Sequence, residues 1–94
     1  MNANARKAYN ALKKIGAPVL SPDLGWGGHF AISGEYYGRD DGFYDGSKDF
    51  DPDGNLWYDY YENYWGSDYI NDILKKHGLF AEWINGGVLG VYDA

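Results

Sequence analysis

The stretch from Glu35 to Asp72 constrains this chain most. It holds eleven of the fourteen acids: Glu35, Asp40, Asp41, Asp45, Asp49, Asp51, Asp53, Asp59, Glu62, Asp68 and Asp72. Only Arg39 and Lys48 oppose them, which leaves a net charge of −9, whereas residues 1–34 carry +3 and residues 73–94 carry zero. Acidic tails that stay disordered are poor in aromatics. This stretch instead contains eight of the ten tyrosines, together with Phe43, Phe50, Trp57 and Trp65. So many large apolar rings require a packed structure, and so much uncompensated charge requires water or a cationic partner. The combination predicts a folded anionic face carrying Tyr and Trp, which is an interaction surface for something basic.

The chain of 94 residues is the size of one domain. Cysteine is absent, which excludes disulfides, thiolate metal sites and a cysteine nucleophile and agrees with a reducing compartment. No apolar run approaches the roughly 20 residues that span a bilayer. Met1-Asn-Ala-Asn-Ala-Arg-Lys lacks the apolar core of a signal peptide. The expectation is a soluble, cytoplasmic protein. A net charge of −6 repels nucleic acid and anionic lipid, so neither is an expected direct ligand.

Periodicity organises the two ends of the chain. Ala5, Ala8, Tyr9, Leu12 and Ile15 recur at helical spacing and predict a helix over 3–15, stopped by Gly16 and Pro18. Its basic residues lie off that stripe, on a solvated side. Phe30 and Ile32 alternate with His29, Ala31 and Ser33, a strand over 27–33. Leu56, Tyr58 and Tyr60 alternate behind an Asp-Gly turn and predict a strand over 55–64, although Trp57, Tyr61, Tyr64 and Trp65 also fit a helical stripe. Ser67 caps a helix ending at His77, with Ile70, Ile73 and Leu74 facing the core. Leu79–Ile84 and Val88–Tyr92 flank Asn85-Gly86-Gly87, a hairpin signal. Between the first two strands, residues 34–55 show no period and contain five glycines and seven acids. Such a long acidic, aromatic-rich loop in a small domain is a functional segment when it is ordered. The order helix, strand, loop, strand, helix, hairpin predicts a single α+β domain: a four-stranded, mainly antiparallel sheet with two helices packed on one face.

Chemistry-bearing patterns are sparse. Asp49-Phe-Asp51-Pro-Asp53-Gly54-Asn55-Leu56 matches the first half of a calcium loop, with oxygen ligands at positions 1, 3 and 5 and glycine at 6. Position 12, which needs a bidentate Glu, is Tyr60. A Pro-Asp-Gly turn accounts for the same residues, so a calcium-dependent structural or adhesion module is the alternative and no metal is the expectation. His77 at a helix end reads as a cap, and His29 as a packed or hydrogen-bonded strand residue. Gly25-Trp26-Gly27-Gly28 has neither the P-loop lysine nor dinucleotide spacing. No nucleophile, base and orienting group can be assigned, so no enzyme and no cofactor are expected. Trp57, Trp65 and Trp83 are expected in the core for their size. The expected partner contacts are Asp40, Asp41, Asp45, Asp49, Asp51, Asp53, Asp59 and Glu62, with Tyr36, Tyr37 and Tyr44 as contact area.

The segment Ile70-Asn-Asp-Ile-Leu-Lys-Lys-His-Gly-Leu-Phe-Ala-Glu-Trp83, in a small, acidic, cysteine-free chain, resembles accessory proteins encoded by phages and prophages. In charge and size the chain is similar to anti-CRISPR proteins of the DNA-mimic type. That resemblance implies a cytoplasmic inhibitor, in an infected or lysogenic bacterium, that occupies the basic nucleic-acid channel of a host protein complex such as a CRISPR effector. Those proteins share no sequence signature, so the resemblance assigns no individual residue.

Overall fold

In this computed structural model, residues 1–34 and 50–94 are described. Helix α1 spans Ala3–Ile15 and buries Ala5, Ala8, Tyr9 and Leu12 of the predicted stripe, with its last member, Ile15, partly buried. The Asn2 side chain accepts from the Ala5 N–H at 2.8 Å and starts the helix, and Lys13 and Lys14 lie at its negative end. Strand β1 is Phe30–Ser33. Helix α2 spans Asp68–Lys76, capped by Ser67, whose hydroxyl accepts from Tyr69 N–H. The His77 ring bonds the Ile73 carbonyl at 2.8 Å, the capping role its position predicted. Strands β2 (Leu79–Asn85) and β3 (Val88–Asp93) form the hairpin, in which the Asn85 side chain accepts from Gly87 N–H across the two-glycine turn.

The sheet is antiparallel with order β1-β3-β2, three strands among the described residues. One face presents Phe30, Ile32, Leu79, Leu89 and Val91 to both helices, and these join Ala8, Leu12, Ile70 and Leu74 in one buried core. The opposite face carries the small cluster Leu20, Ala31 and Val88. The class is therefore α+β with both helices against one sheet face, as the element order required.

The fourth strand expected over 55–64 is absent. Two side chains compete with the sheet for its backbone. Asp51 Oδ1 accepts from the N–H groups of Asp53 and Asn55, each at 2.9 Å, and Asp59 Oδ1 accepts from those of Tyr61 and Glu62, each at 2.9 Å. Each carboxylate thereby folds the chain into a local turn. Trp65 is also not in the core. It is 81% exposed: the turn before α2 is tied down through its carbonyl, which accepts from Asn71 Nδ2 at 2.8 Å, and its ring packs edge-on against Tyr64.

Candidate functional site

Residues 50–67 form a double turn pinned to the amino end of α2. The first turn closes between Phe50 and Leu56, with Asp51 N–H on the Asn55 carbonyl and Gly54 N–H on that of Asp51. The second closes between Asp59 and Asn63, which exchange main-chain bonds of 3.1 and 2.9 Å. Asn63 Nδ2 ties the second turn to the Leu56 carbonyl at 2.8 Å. Ser67 N–H donates to the Trp57 carbonyl at 2.8 Å, and Trp57 itself is fully buried.

Asp51 joins these parts. Its Oδ2 accepts from the Ser67 hydroxyl at 2.7 Å, while Ser67 Oγ in turn accepts from Tyr69 N–H. The carboxylate is buried, and burial alone raises its pKa. The Ser67 hydroxyl and the N–H groups of Asn55, Asp53 and Gly54 outweigh that effect and hold it below the usual carboxylate value. Both oxygens are occupied from within the protein, so Asp51 is an organising residue rather than a contact for a partner. For the same reason it is a poor ligand at position 3 of the calcium loop that the sequence half matches. Among the described residues, no group of three or more His, Asp or Glu is arranged to hold a metal ion.

Against this frame lies a cleft of about 520 Å³ lined by Asp53, Glu62 and Asp68 together with Phe50, Leu56 and Tyr69. Among the described residues, no lysine or arginine lines it. Glu62 and Asp68 are exposed, and Asp53 accepts from the Tyr69 hydroxyl at 3.1 Å. That bond, with the adjacent carboxylates of Asp53 and Asp51, raises the Tyr69 pKa and keeps the phenol a donor. Beside the cleft in the chain stands a ladder of rings. Tyr60 packs edge-on against Tyr61, Tyr64 and Trp83 at 5.1–5.5 Å, and Tyr64 against Trp65 at 5.0 Å. Trp83 anchors the ladder and donates its indole N–H to the Tyr64 carbonyl at 3.0 Å. Tyr61 is 92% exposed, so its ring area is offered to solvent on a fixed turn.

Two glycines allow this packing. A Cβ on Gly34 would meet the Trp83 ring at 2.1 Å, and one on Gly66 would meet the Tyr58 ring at 2.2 Å with φ at +85°. Tyr58 lies beneath the turn, its hydroxyl donating to Asn71 Oδ1 at 2.9 Å, and burial pushes its pKa up to about 12.

Of the expected contact residues, Asp51, Asp53 and Glu62 line the cleft, Asp51 as a buried residue with both oxygens bonded within the protein, and Asp59 is spent on its own turn. Tyr36, Tyr37, Asp40, Asp41, Tyr44, Asp45 and Asp49 lie outside the described residues. Three contributors were missed from the sequence: Asp68, Tyr61 and Trp65. The available signal was Asp59 and Ser67 as turn and cap residues, which mark 59–67 as a turn region rather than a strand.

Comparison with known proteins returns no relative: no family model, no curated protein and no solved structure matches this chain.

Proposed function

We propose that this protein binds a basic surface of a nucleic-acid-handling host complex and keeps DNA from that surface, the role of a phage-type, anti-CRISPR-like inhibitor. The observation that carries the reading is the cleft lined by Asp53, Glu62 and Asp68, with no lysine or arginine among its described lining residues, on a double turn that also exposes Tyr61 and Trp65. Carboxylates orient Lys and Arg and speed encounter, and tyrosine and tryptophan add contact area that salt does not screen. The turns that hold them are closed by internal hydrogen bonds, so little order has to be gained on binding. The rest of the acidic stretch adds long-range attraction of the same sign.

Capture of partners from a bacterial host lysate, followed by competition with DNA, tests this reading. The captured protein should be basic, should bind DNA on its own, and should release DNA as this protein is added. Simultaneous occupancy by both, or direct binding of this protein to DNA at physiological salt, would refute it.

A further inference from the structure

The two edges of the sheet are treated differently. The edge of β1 is covered: Leu20 N–H donates to the Ala31 carbonyl at 2.9 Å, and Ser33 N–H to the Pro18 carbonyl at 2.8 Å. These bonds also fix the direction of every main-chain group in the sheet. Ala31 and Ser33 point away from β3, so Phe30 and Ile32 point towards it, opposite Val91 and Leu89. Alternation then turns Gly90 and Tyr92 towards β2, where they meet Glu82 and Phe80. The bond from Ala94 N–H to the Gly78 carbonyl gives the same phase independently. Leu79, Ala81 and Trp83 therefore direct their N–H and C=O groups outward, and no main-chain partner meets them among the described residues.

That edge is not flat surface. It borders a groove of about 530 Å³ whose lining includes Tyr64, Trp65, Leu74, Lys75, Leu79 and Trp83. Open strand edges invite pairing with another chain, and proteins blunt them with charge, bulges or cover. Here the protection is slight: Glu82 in mid-strand and a register shift between Trp83 and Asn85. Glu82 also bears on the choice of occupant. Two copies pairing antiparallel through their outward groups bring their Glu82 carboxylates opposite or diagonal to each other on one face, where like charges repel. A foreign strand with a lysine or arginine at that position is attracted instead.

We infer that the β2 edge and its groove take up an extended basic segment of a partner protein as a fourth strand, with apolar side chains at alternate positions entering the groove and a cation facing Glu82. The site is separate from the acidic cleft. It deepens the proposed function by adding a shape requirement to a basic partner, and it rests on that reading only for the partner's identity.

Nine-residue peptides alternating Val or Phe with Lys, and the same set with Glu in place of Lys, are the probes. Trp fluorescence measures binding, and amide exchange locates it. The Lys set should bind at least tenfold more tightly than the Glu set and should slow exchange at Ala81 and Trp83. Ala81→Pro removes one outward N–H at an edge position where proline is tolerated, and should weaken binding at least tenfold with the circular dichroism unchanged. Glu82→Lys should reverse the Lys-over-Glu preference. Glu62→Gln with Asp68→Asn should leave peptide binding intact, which separates this site from the cleft. Equal binding by Ala81→Pro, absence of binding by the Lys set at millimolar concentration, or unprotected Ala81 and Trp83 amides in the wild-type complex would overturn the inference. So would a dimer, by sedimentation, that Ala81→Pro dissolves, because the occupant would then be a second copy.

Discussion

The α1–β1–α2–hairpin frame and the double turn at 50–67 are held together by different means. The frame is aliphatic: Leu12, Ile32, Ile70, Leu74, Leu89 and Val91 are all essentially inaccessible to solvent, and their spacing follows the helix and strand repeats. The double turn is held by side chains of its own sequence, Asp51, Asp59 and Asn63, and by Asn71 of α2, with Trp57 as its deepest anchor and Tyr58 buried beside it. A hydrophobic frame keeps its side chains inside. A turn built on side-chain-to-backbone bonds leaves its large residues outside, and this is how Tyr61 and Trp65 come to be displayed. On the proposed function, stability and binding fall to different residues, and mutations should separate them.

The largest effect belongs to the anchor. Trp57→Ala should cost about 3–5 kcal/mol in urea denaturation, the usual range for a buried Trp truncated in place, since nothing smaller fills its site beneath the turn. A loss under about 1 kcal/mol would mean that the turn is not fastened to the frame through Trp57.

Asp51→Ala comes next, at about 2–4 kcal/mol, because it leaves the buried Ser67 hydroxyl and several N–H groups without their charged acceptor. The same bond set predicts a pH dependence. The folded carboxyl titrates below its usual 3.8, so its contribution is intact above that value and is lost as pH falls through the folded pKa. The Asp51→Ala variant should lack this component of the acid transition. Tyr58 contributes at the opposite end of the scale. Its folded pKa of about 12 exceeds the ordinary 10.0, so its contribution is full below pH 10 and is lost between 10 and 12. Tyr58→Phe should flatten that alkaline decline, as followed by near-ultraviolet circular dichroism.

How much of this was legible in the sequence divides along the same line. α1 was readable because its stripe at Ala5, Ala8, Tyr9 and Leu12 agrees with the stop at Gly16 and Pro18. α2 and the hairpin were readable because Ser67 and the paired Gly86-Gly87 mark their boundaries. The stretch 55–64 was misread because Leu56, Tyr58 and Tyr60 mimic a strand, while the deciding interactions are two Asp side chains bonding two to four residues ahead. Acidity suggested a binding face, but only the fold shows that Asp51 and Asp59 are bonded into the turns while Asp53, Glu62 and Asp68 stand exposed in the lining of a cleft. In sequence all five look alike.

The smallest stability effects should come from the exposed rings. Tyr61→Ala and Trp65→Ala should each change unfolding free energy by less than about 0.5 kcal/mol, yet each should reduce recovery of the partner from lysate. A marked destabilisation by either would make these rings part of the scaffold and erase the contrast between the two regions.

The most direct test of the account is the rate at which this protein associates with its captured partner as salt rises from about 0.1 to 0.5 M, over which the Debye length falls from near 10 Å to about half that. The wild-type rate should fall steeply, and the Asp53→Asn/Glu62→Gln/Asp68→Asn variant, still folded, should associate more slowly with a shallower salt dependence. A salt-independent wild-type rate, or identical slopes for the two proteins, would contradict the claim that this acidic cleft is the face that meets the partner.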